Sequence, residues 1–458
     1  MEKKVYIKNV DILHGNLMKS IVRYCIPVIL VGLAQNLFHA VDLMVLGAMA
    51  DTNAIASVGA TTLLIQLLVN TFFGFMSGTK IVLARLVGAS EDDQVRRTVS
   101  TAMLLGGILG CATAIGGFLL APVLLRATGC PTVCFDGAVL YTRIYLAAAP
   151  AIMLYNFGSA ILSSSGDSQR PLIYMLLSGG INVVLNVILC LIMPQKVTAV
   201  AIATAVSQIV GAILVLLRLL HIKGACRLSL RKLQWSNSAF GNLMANGAPL
   251  ALYNALHPLS GLQIQSQINS FGAAVIAGKS AALSIEGLIE PVASSAWAST
   301  ATVFVGQNIG ASKTDRVKKS ILYPLFISTS LGLLLGVLAT VFSRPLLSLY
   351  VSEEAAILAA HIRIQYAVLP YAIACINGVL AHVIQAFGYS AFCTVNSVIS
   401  VLLFRVFWMN LIYPLCPTFG VICQCNLVSW MLMLTANVTF TLYLYKRKLQ
   451  KGRLKKFT

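Results

Sequence analysis

The run Ser20–Ala48, SIVRYCIPVILVGLAQNLFHAVDLMVLGA, decides the fold. It is predominantly apolar and exceeds the roughly 20 residues that carry a helix across a bilayer. Eleven further stretches share its character, near 54–78, 98–120, 137–162, 171–193, 197–220, 243–269, 278–301, 320–342, 357–386, 392–413 and 419–445. The connections between them are short, which leaves no room for a separate soluble domain. Barrel strands need only about 10 residues and alternate in polarity, whereas these runs are continuous. Of the 458 residues, 58% are apolar and 10% charged, with a mean hydropathy of +0.84. Soluble proteins are about 45–50% apolar and about 25% charged, and disordered chains are weakly hydrophobic, so both classes are excluded. The predicted fold class is an all-α polytopic membrane protein with 12 transmembrane helices.

Charge orients the helices. The sequence holds 33 Lys and Arg against 14 Asp and Glu, a net charge of +19. If the N-terminus is cytoplasmic, 26 of the basic residues fall on that side and 6 on the other, with Arg405 inside a span. This is the asymmetry that positive-inside topology produces, so the excess of charge needs no nucleic acid. Both termini are expected in the cytoplasm, and the basic tail from Lys446 to Lys456 is placed to touch anionic membrane lipid. The polar start MEKKVYIKN leads into a long first span without a small-residue cleavage site, so no removable signal peptide is expected. Most of the 11 cysteines lie in apolar spans, where free Cys acts as a small hydrophobe. Cys130 and Cys134 share a loop on the outward side, and the sequence leaves their pairing open.

The chain repeats itself. A shift of 222 residues aligns Pro27 with Pro249, Val87–Ser90 (VGAS) with Ile309–Ser312 (IGAS), Arg96–Arg97 with Lys318–Lys319, and Gly166 with Gly388. With two residues of drift, Arg143 meets Arg363 and Pro150 meets Pro370. Six spans per copy is an even number, so both copies enter the bilayer in the same sense. Parallel repeats of this kind occur among alternating-access transporters. The expected domains are an N-lobe over 1–220, a cytoplasmic linker over 221–242, and a C-lobe with its basic tail over 243–458.

Polar groups at membrane depth are costly and mark functional candidates. In the first span Gln35, His39 and Asp42 stand at i, i+4 and i+7, on one helical face. Asp42 is the one acid deep within the first six spans, and a desolvated carboxyl can exchange a proton for a cation. Asn182 and Asn186 in the fifth span, with Thr204 and Gln208 in the sixth, offer oxygens that would complete a site for a hard cation. The alternative is that these groups join helices by hydrogen bonds. In the second copy the position of Asp42 is Ile264, whereas Glu286 and Glu290 replace Leu64 and Leu68. Glu286 and Glu290 are candidates to attract cationic cargo or carry protons, although Glu290 precedes Pro291 and would also satisfy a break there. Asn254, His257 and Asn377 are candidates to line a central cavity, with packing as the alternative for each. The glycine pairs Gly106–Gly107 and Gly179–Gly180 read as close helix contacts. HExxH, GxSxG, P-loop and clustered Cys/His spacings are all missing, which excludes an enzyme and ATP-driven transport by this chain alone. No metal site and no cofactor are expected.

Several stretches resemble the multidrug and toxic compound extrusion (MATE) family, bacterial type. They are NLFHAVDLMVLG at Asn36–Gly47, LARLVGAS at Leu83–Ser90, VFVGQNIGAS at Val303–Ser312, RIYLAAAPAIMLYNFGSAILSSSGDSQRP at Arg143–Pro171 and INVVLN at Ile181–Asn186. The resemblance covers about residues 15–445. It implies two six-helix lobes that open inward and outward in turn, and a secondary active exporter of amphipathic, often cationic compounds exchanged for H⁺ or Na⁺. It further implies that Asp42 carries the coupling ion and that Asn182, Asn186 and Thr204 belong to the ion site, with Na⁺ at Asp42 in some members. Asn186 stands where those members have Asp, and no acid lies in the seventh or tenth span. Both departures favour protons. The competing class is a lipid-linked oligosaccharide flippase of the same superfamily, whose cavity is usually more cationic. A passive channel fits less well, because channels present rings of ligands from several subunits. The interior charges here read as mostly acidic, which favours cationic cargo. The expected setting is a bacterial plasma membrane, with the chain working as a monomer on small organic molecules.

Overall fold

The structure is a computed structural model that describes residues 10–49 and 52–449. The side chains of His39, Asp42 and His257 lie outside the described residues, although their backbone is helical. The described residues form helices and turns with no strand. The helices are α1 (Leu17–Met49), α2 (Thr52–Gly88), α3 (Asp92–Ala127), α4 (Phe135–Ala147), α5 (Ala149–Ser164), α6 (Gln169–Ile192), α7 (Lys196–His221), α8 (Asn237–Asn269) and α9 (Ala273–Glu290). They continue with α10 (Ala296–Gly310), α11 (Thr314–Val341), α12 (Ser343–Leu347), α13 (Glu354–Arg363), α14 (Tyr371–Ala386), α15 (Ser390–Ser397), α16 (Phe404–Phe407) and α17 (Phe419–Leu444). Each of the twelve expected stretches falls on one of these or on a consecutive set.

Among the described residues, eight helices are long and apolar enough to cross a membrane, and ten if each of two bent pairs is one span. The other two expected spans are α8 and the run from α9 to α10. Their Asn, His, Lys and Glu residues keep them below that measure of apolarity, so the least apolar spans are those that carry the candidate residues of the second copy. Large side chains such as Ile115, Leu119, Phe326 and Leu333 stand exposed along the outer faces. In water such a surface would be a liability; in a bilayer it meets lipid.

The repeat is visible in the backbone. Ser90, between α2 and α3, and Ser312, between α10 and α11, both have φ of 56°, a left-handed conformation uncommon outside glycine. Gly166 and Gly388 close the α5–α6 and α14–α15 turns at φ of 91° and 88°. The α4–α5 pair bends by 45°, and α13 with its π-helical extension Ile364–Val368 meets α14 at 42°. These breaks sit at Pro150 and Pro370, where proline removes a backbone donor.

Among the described residues, contacts divide the chain into two compact units: one of residues 10 and 34–251, the other of 11–33 and 252–449. Compared with the expected boundaries at 1–220 and 243–458, α1 and α8 each run from one unit into the other. Small side chains explain where they dock. In the first unit α8 lies so close to α2 that a Cβ on Gly78 would stand 2.4 Å from Gly247 Cα, and one on Gly74 2.2 Å from the Ala251 nitrogen. In the second unit α1 docks in the equivalent way on α10. Cys25 lies beside Thr300, residues that match Gly247 and Gly78 under the 222-residue shift, and Tyr24 meets Phe304 edge-on with ring centroids 5.6 Å apart. Gly32 packs on Pro291 beside this contact. The first unit's core gathers Leu83, Val99, Met153, Phe157 and Val215 from α2, α3, α5 and α7. The second's gathers Ala282, Ile285, Ile364, Val368 and Tyr371. Only one member of each glycine pair makes a close contact: Gly106 faces Phe157 and Gly179 faces Phe38, whereas Gly107 and Gly180 are open.

Two stability outcomes follow. Ser312→Val should unfold more easily than Ser312→Gly by about 1–2 kcal/mol, because a branched side chain resists the left-handed conformation; thermal midpoints of the detergent-solubilised variants test this, and equal midpoints would contradict it. Gly78→Leu should lower the midpoint or abolish folding, costing about 1–3 kcal/mol or more by overpacking. Gly107→Ala, at an open position, should leave it nearly unchanged.

Candidate functional site

In the first unit α6 and α7 bring three of the expected N-lobe groups together. Asn186 Nδ2 donates to Asn182 Oδ1 at 3.2 Å, and Asn182 Nδ2 donates to Thr204 Oγ1 at 3.4 Å. Thr204 Oγ1 in turn donates to the Val200 carbonyl at 3.0 Å. Both asparagines are buried, and Asn186 is fully so. The i, i+4 spacing puts the two amides on one face of α6, and α7 presents Thr204 to that face.

Contacts on either side fix the level of Asp42. The Phe38 ring lies against Gly179 of α6. Val45 packs into the cluster of Leu189, Cys190, Ala199 and Val200 from α6 and α7. The two helices therefore run in the same direction, and position 42, between residues 38 and 45, falls at the stretch of α6 between 179 and 190. That stretch contains Asn182 and Asn186. Gln35 and Gln208 are half-buried in the same unit. His39 shares with Asp42 a side chain outside the described residues.

The second unit is built differently. Glu286 on α9 receives a hydrogen bond from Arg363 Nη2 at 2.8 Å, an ion pair with side chains 19% and 11% exposed. Arg363 is turned into the helix bundle, a placement that the charge pattern along the chain does not give. Its repeat mate Arg143 shows why. Position 64 is Leu, so Arg143 finds no acid opposite and donates Nε to the Phe118 carbonyl at 3.1 Å, with its guanidinium 4.7 Å from the Phe118 ring centre. That carbonyl has lost its helical partner, because Pro122 four residues on carries no N–H.

Glu290 accepts from Ser295 Oγ at 3.1 Å across the π-helical turn Pro291–Ser295. Side chains donate to carbonyls of this turn: Trp297 Nε1 reaches Val292, and Ser328 Oγ and Cys375 Sγ reach Ala293. Asn377 belongs to a buried amide chain rather than to an open wall. Asn437 Nδ2 donates to Asn377 Oδ1 at 3.0 Å, Asn396 Nδ2 to Asn437 Oδ1 at 3.0 Å, and Asn377 Nδ2 to the Trp430 carbonyl at 2.8 Å. Asn254 is half-buried on α8. Arg405, 9% exposed, donates Nη1 to Ser260 Oγ at 2.7 Å.

The interior of this unit is thus not mostly acidic: Lys279, Arg363 and Arg405 stand against Glu286 and Glu290. Sequence reasoning missed the Glu286–Arg363 pair, although the alignment of Arg363 with Arg143 inside the repeat was a signal for it. It also missed Asn396 and Asn437, which no spacing connects. Cys130 and Cys134 are free thiols with sulfurs 4.0 Å apart. Among the described residues no group of three His, Cys, Asp or Glu is arranged to hold a metal ion.

Known proteins match this arrangement. A family model described as MatE matches residues 27–188 and again 249–409. The probable multidrug resistance protein YoeA of Bacillus subtilis (strain 168) is 26% identical over 350 residues, covering 75% of this chain and 75% of its own. A protein of Shewanella oneidensis named FAD transporter is 26% identical over 312 residues, 66% of this chain and 68% of its own. A crystal structure of MATE in the bent conformation superposes with a TM-score of 0.86 at 20% identity, over 98% of this chain and 99% of that one. With two tandem matches across most of its length and the same all-helical repeated fold, the chain belongs to the MatE family and is a multi-pass membrane transporter.

Proposed function

We propose that this transporter is a secondary active multidrug exporter, moving amphipathic organic compounds outward in exchange for H⁺ or Na⁺, with Asp42 as the coupling group. The observation that supports this reading best is the shared level of Asp42 with the buried Asn182–Asn186–Thr204 chain. Three neutral oxygen-bearing groups gather at that level, Asn182 and Asn186 on α6 and Thr204 on α7. A single carboxylate with neutral ligands binds a proton covalently but holds Na⁺ with only one formal charge, so protons are the favoured ion. The relatives named for multidrug resistance and for FAD support export of sizeable organic molecules and leave room for more than cationic cargo. The proposed setting is a bacterial plasma membrane, with both termini cytoplasmic and one chain sufficient.

The cycle follows from charge. Ionised Asp42 in the outward-open state gives up cargo and takes the coupling ion. Neutralisation weakens its attraction for polar partners on α6 and α7, and α1, which contains Pro27, reshapes the cavity. Release of the ion to the cytoplasm restores the carboxylate for the next cargo. A ligand-driven shift of this kind requires different affinity in the two states, and the change of charge supplies it.

Purified protein in proteoliposomes with imposed gradients tests the coupling. Under a pH gradient, Asp42→Asn should reduce cationic-dye transport to the level of empty liposomes while the protein stays folded. Transport that persists at the wild-type rate would remove Asp42 from the mechanism. Asn186→Asp adds a second carboxylate at the same level. It should introduce transport driven by a Na⁺ gradient, and no response to Na⁺ in that variant would reduce Asn182 and Asn186 to helix–helix contacts.

A further inference from the structure

The cations of the second unit have no role in this cycle. Arg405 sits on α16 and is 9% exposed, with Nη1 on Ser260 Oγ at 2.7 Å. Its Nε is buried and meets no acceptor among the described residues. Arg363 gives one N–H to Glu286, and its buried Nε is likewise without an acceptor among the described residues. Arg363 follows Ile362 and Arg405 lies one turn before Met409, two members of one apolar cluster, and Lys279 bonds Gln265, the residue after Ile264 of that cluster. Packing explains the convergence. Ile264, Ile362, Met409 and Cys423 share one apolar cluster, which draws together α8, α13, the turn after α16, and α17. Ser260 and Arg405 each lie one turn before a member of that cluster.

The acids around this group are Glu286 and Glu290. Glu286 is engaged by Arg363, and Glu290 is held by Ser295. Three cations against two carboxylates leave an excess of positive charge inside a membrane protein. A guanidinium withdrawn from water without a counter-ion is strongly unfavourable, and intramembrane charges mark substrate paths. Arg presents its donors in a planar fork that matches a carboxylate or phosphoryl group.

We propose that Arg405 and Arg363, with the Ser260 hydroxyl, form an anion subsite in the second unit, and that the protein takes amphipathic organic anions as a second class of cargo. The carboxylate or phosphoryl end of the cargo docks between the two guanidiniums, and Glu286 tunes the subsite by occupying Arg363 while it is empty. The assignment deepens the exporter reading and rests on it. Binding at equilibrium needs no gradient, so failure of Asp42 coupling and failure of this subsite are separate results.

The test is fluorescence anisotropy on the full chain in phosphatidylcholine nanodiscs with two dyes of one ring system, anionic carboxyfluorescein and cationic rhodamine 6G. The wild type should bind carboxyfluorescein, and Arg405→Gln should weaken that binding roughly tenfold to a hundredfold, the range expected on losing a charge-assisted hydrogen bond. Rhodamine 6G should bind Arg405→Gln as well as the wild type or better, and Arg405→Lys should recover part of the loss. Glu286→Gln, which frees Arg363, should bind the anion several-fold more tightly. That variant decides the matter if Arg405→Gln does not fold, because a merely structural ion pair predicts no gain. Unchanged carboxyfluorescein binding in Arg405→Gln, or no gain in a folded Glu286→Gln, overturns the proposal. So does displacement of the dye by phosphatidylglycerol in the disc, which would identify a lipid headgroup as the occupant.

Discussion

A backbone carbonyl without a donor inside hydrocarbon costs several kcal/mol, and side chains meet this constraint at three places in the structure. Where Pro122 removes a donor, Arg143 reaches across from α4 to the Phe118 carbonyl. Where the run through Pro291 widens into a π-helical turn, Trp297, Ser328 and Cys375 donate to its carbonyls. At the end of α6 the Lys196 ammonium takes the Cys190 and Met193 carbonyls at 2.6 and 3.0 Å. Side chains that look like stray polar residues in a hydropathy profile are therefore parts of the backbone's own hydrogen bonding. Separating these from the groups left for chemistry is what reading this protein requires.

Duplication makes that separation possible, since the two copies share a scaffold and differ in what it carries. The turns at Ser90 and Ser312 have the same φ, and the bends of 45° and 42° recur at matching prolines. On this common frame Arg143 and Arg363 occupy one position with opposite uses. The first satisfies a carbonyl, whereas the second pairs with a carboxylate that its own copy introduced at position 286. The copies differ in the acid at position 286, where the first has Leu64, and in Pro122, which the second copy does not repeat.

The resulting division of chemistry is sharp. The first unit gathers neutral amides and a hydroxyl at the level of one acid, an environment suited to a single small cation. The second unit gathers guanidiniums and carboxylates, which suits larger charged groups. Each unit also receives half of a helix that begins or ends in the other unit, with Gly78 against Gly247 in one and Thr300 against Cys25 in the other. Small residues at those crossings let backbones approach closely, which is how helices associate where no hydrophobic drive exists between them.

Much of this was legible in the linear chain. Spans, repeat and fold class are written in apolar run length and in motif spacing, because a bilayer imposes one dominant condition on every segment. The i, i+4 pairing of Asn182 with Asn186 and their joining to Thr204 also follow from helical period plus one contact. What the chain did not disclose depends on which faces of non-adjacent helices meet. The pairing of Glu286 with Arg363 links residues 77 apart, the Asn377–Asn437–Asn396 chain spans α14 to α17, and Ser260 meets Arg405 from 145 positions away. Periodicity orients a residue on its own helix and says nothing about the helix opposite. The net charge of the interior, acidic by inspection of the spans and cationic in the second unit once Arg363 turns inward, was therefore decided by tertiary packing alone.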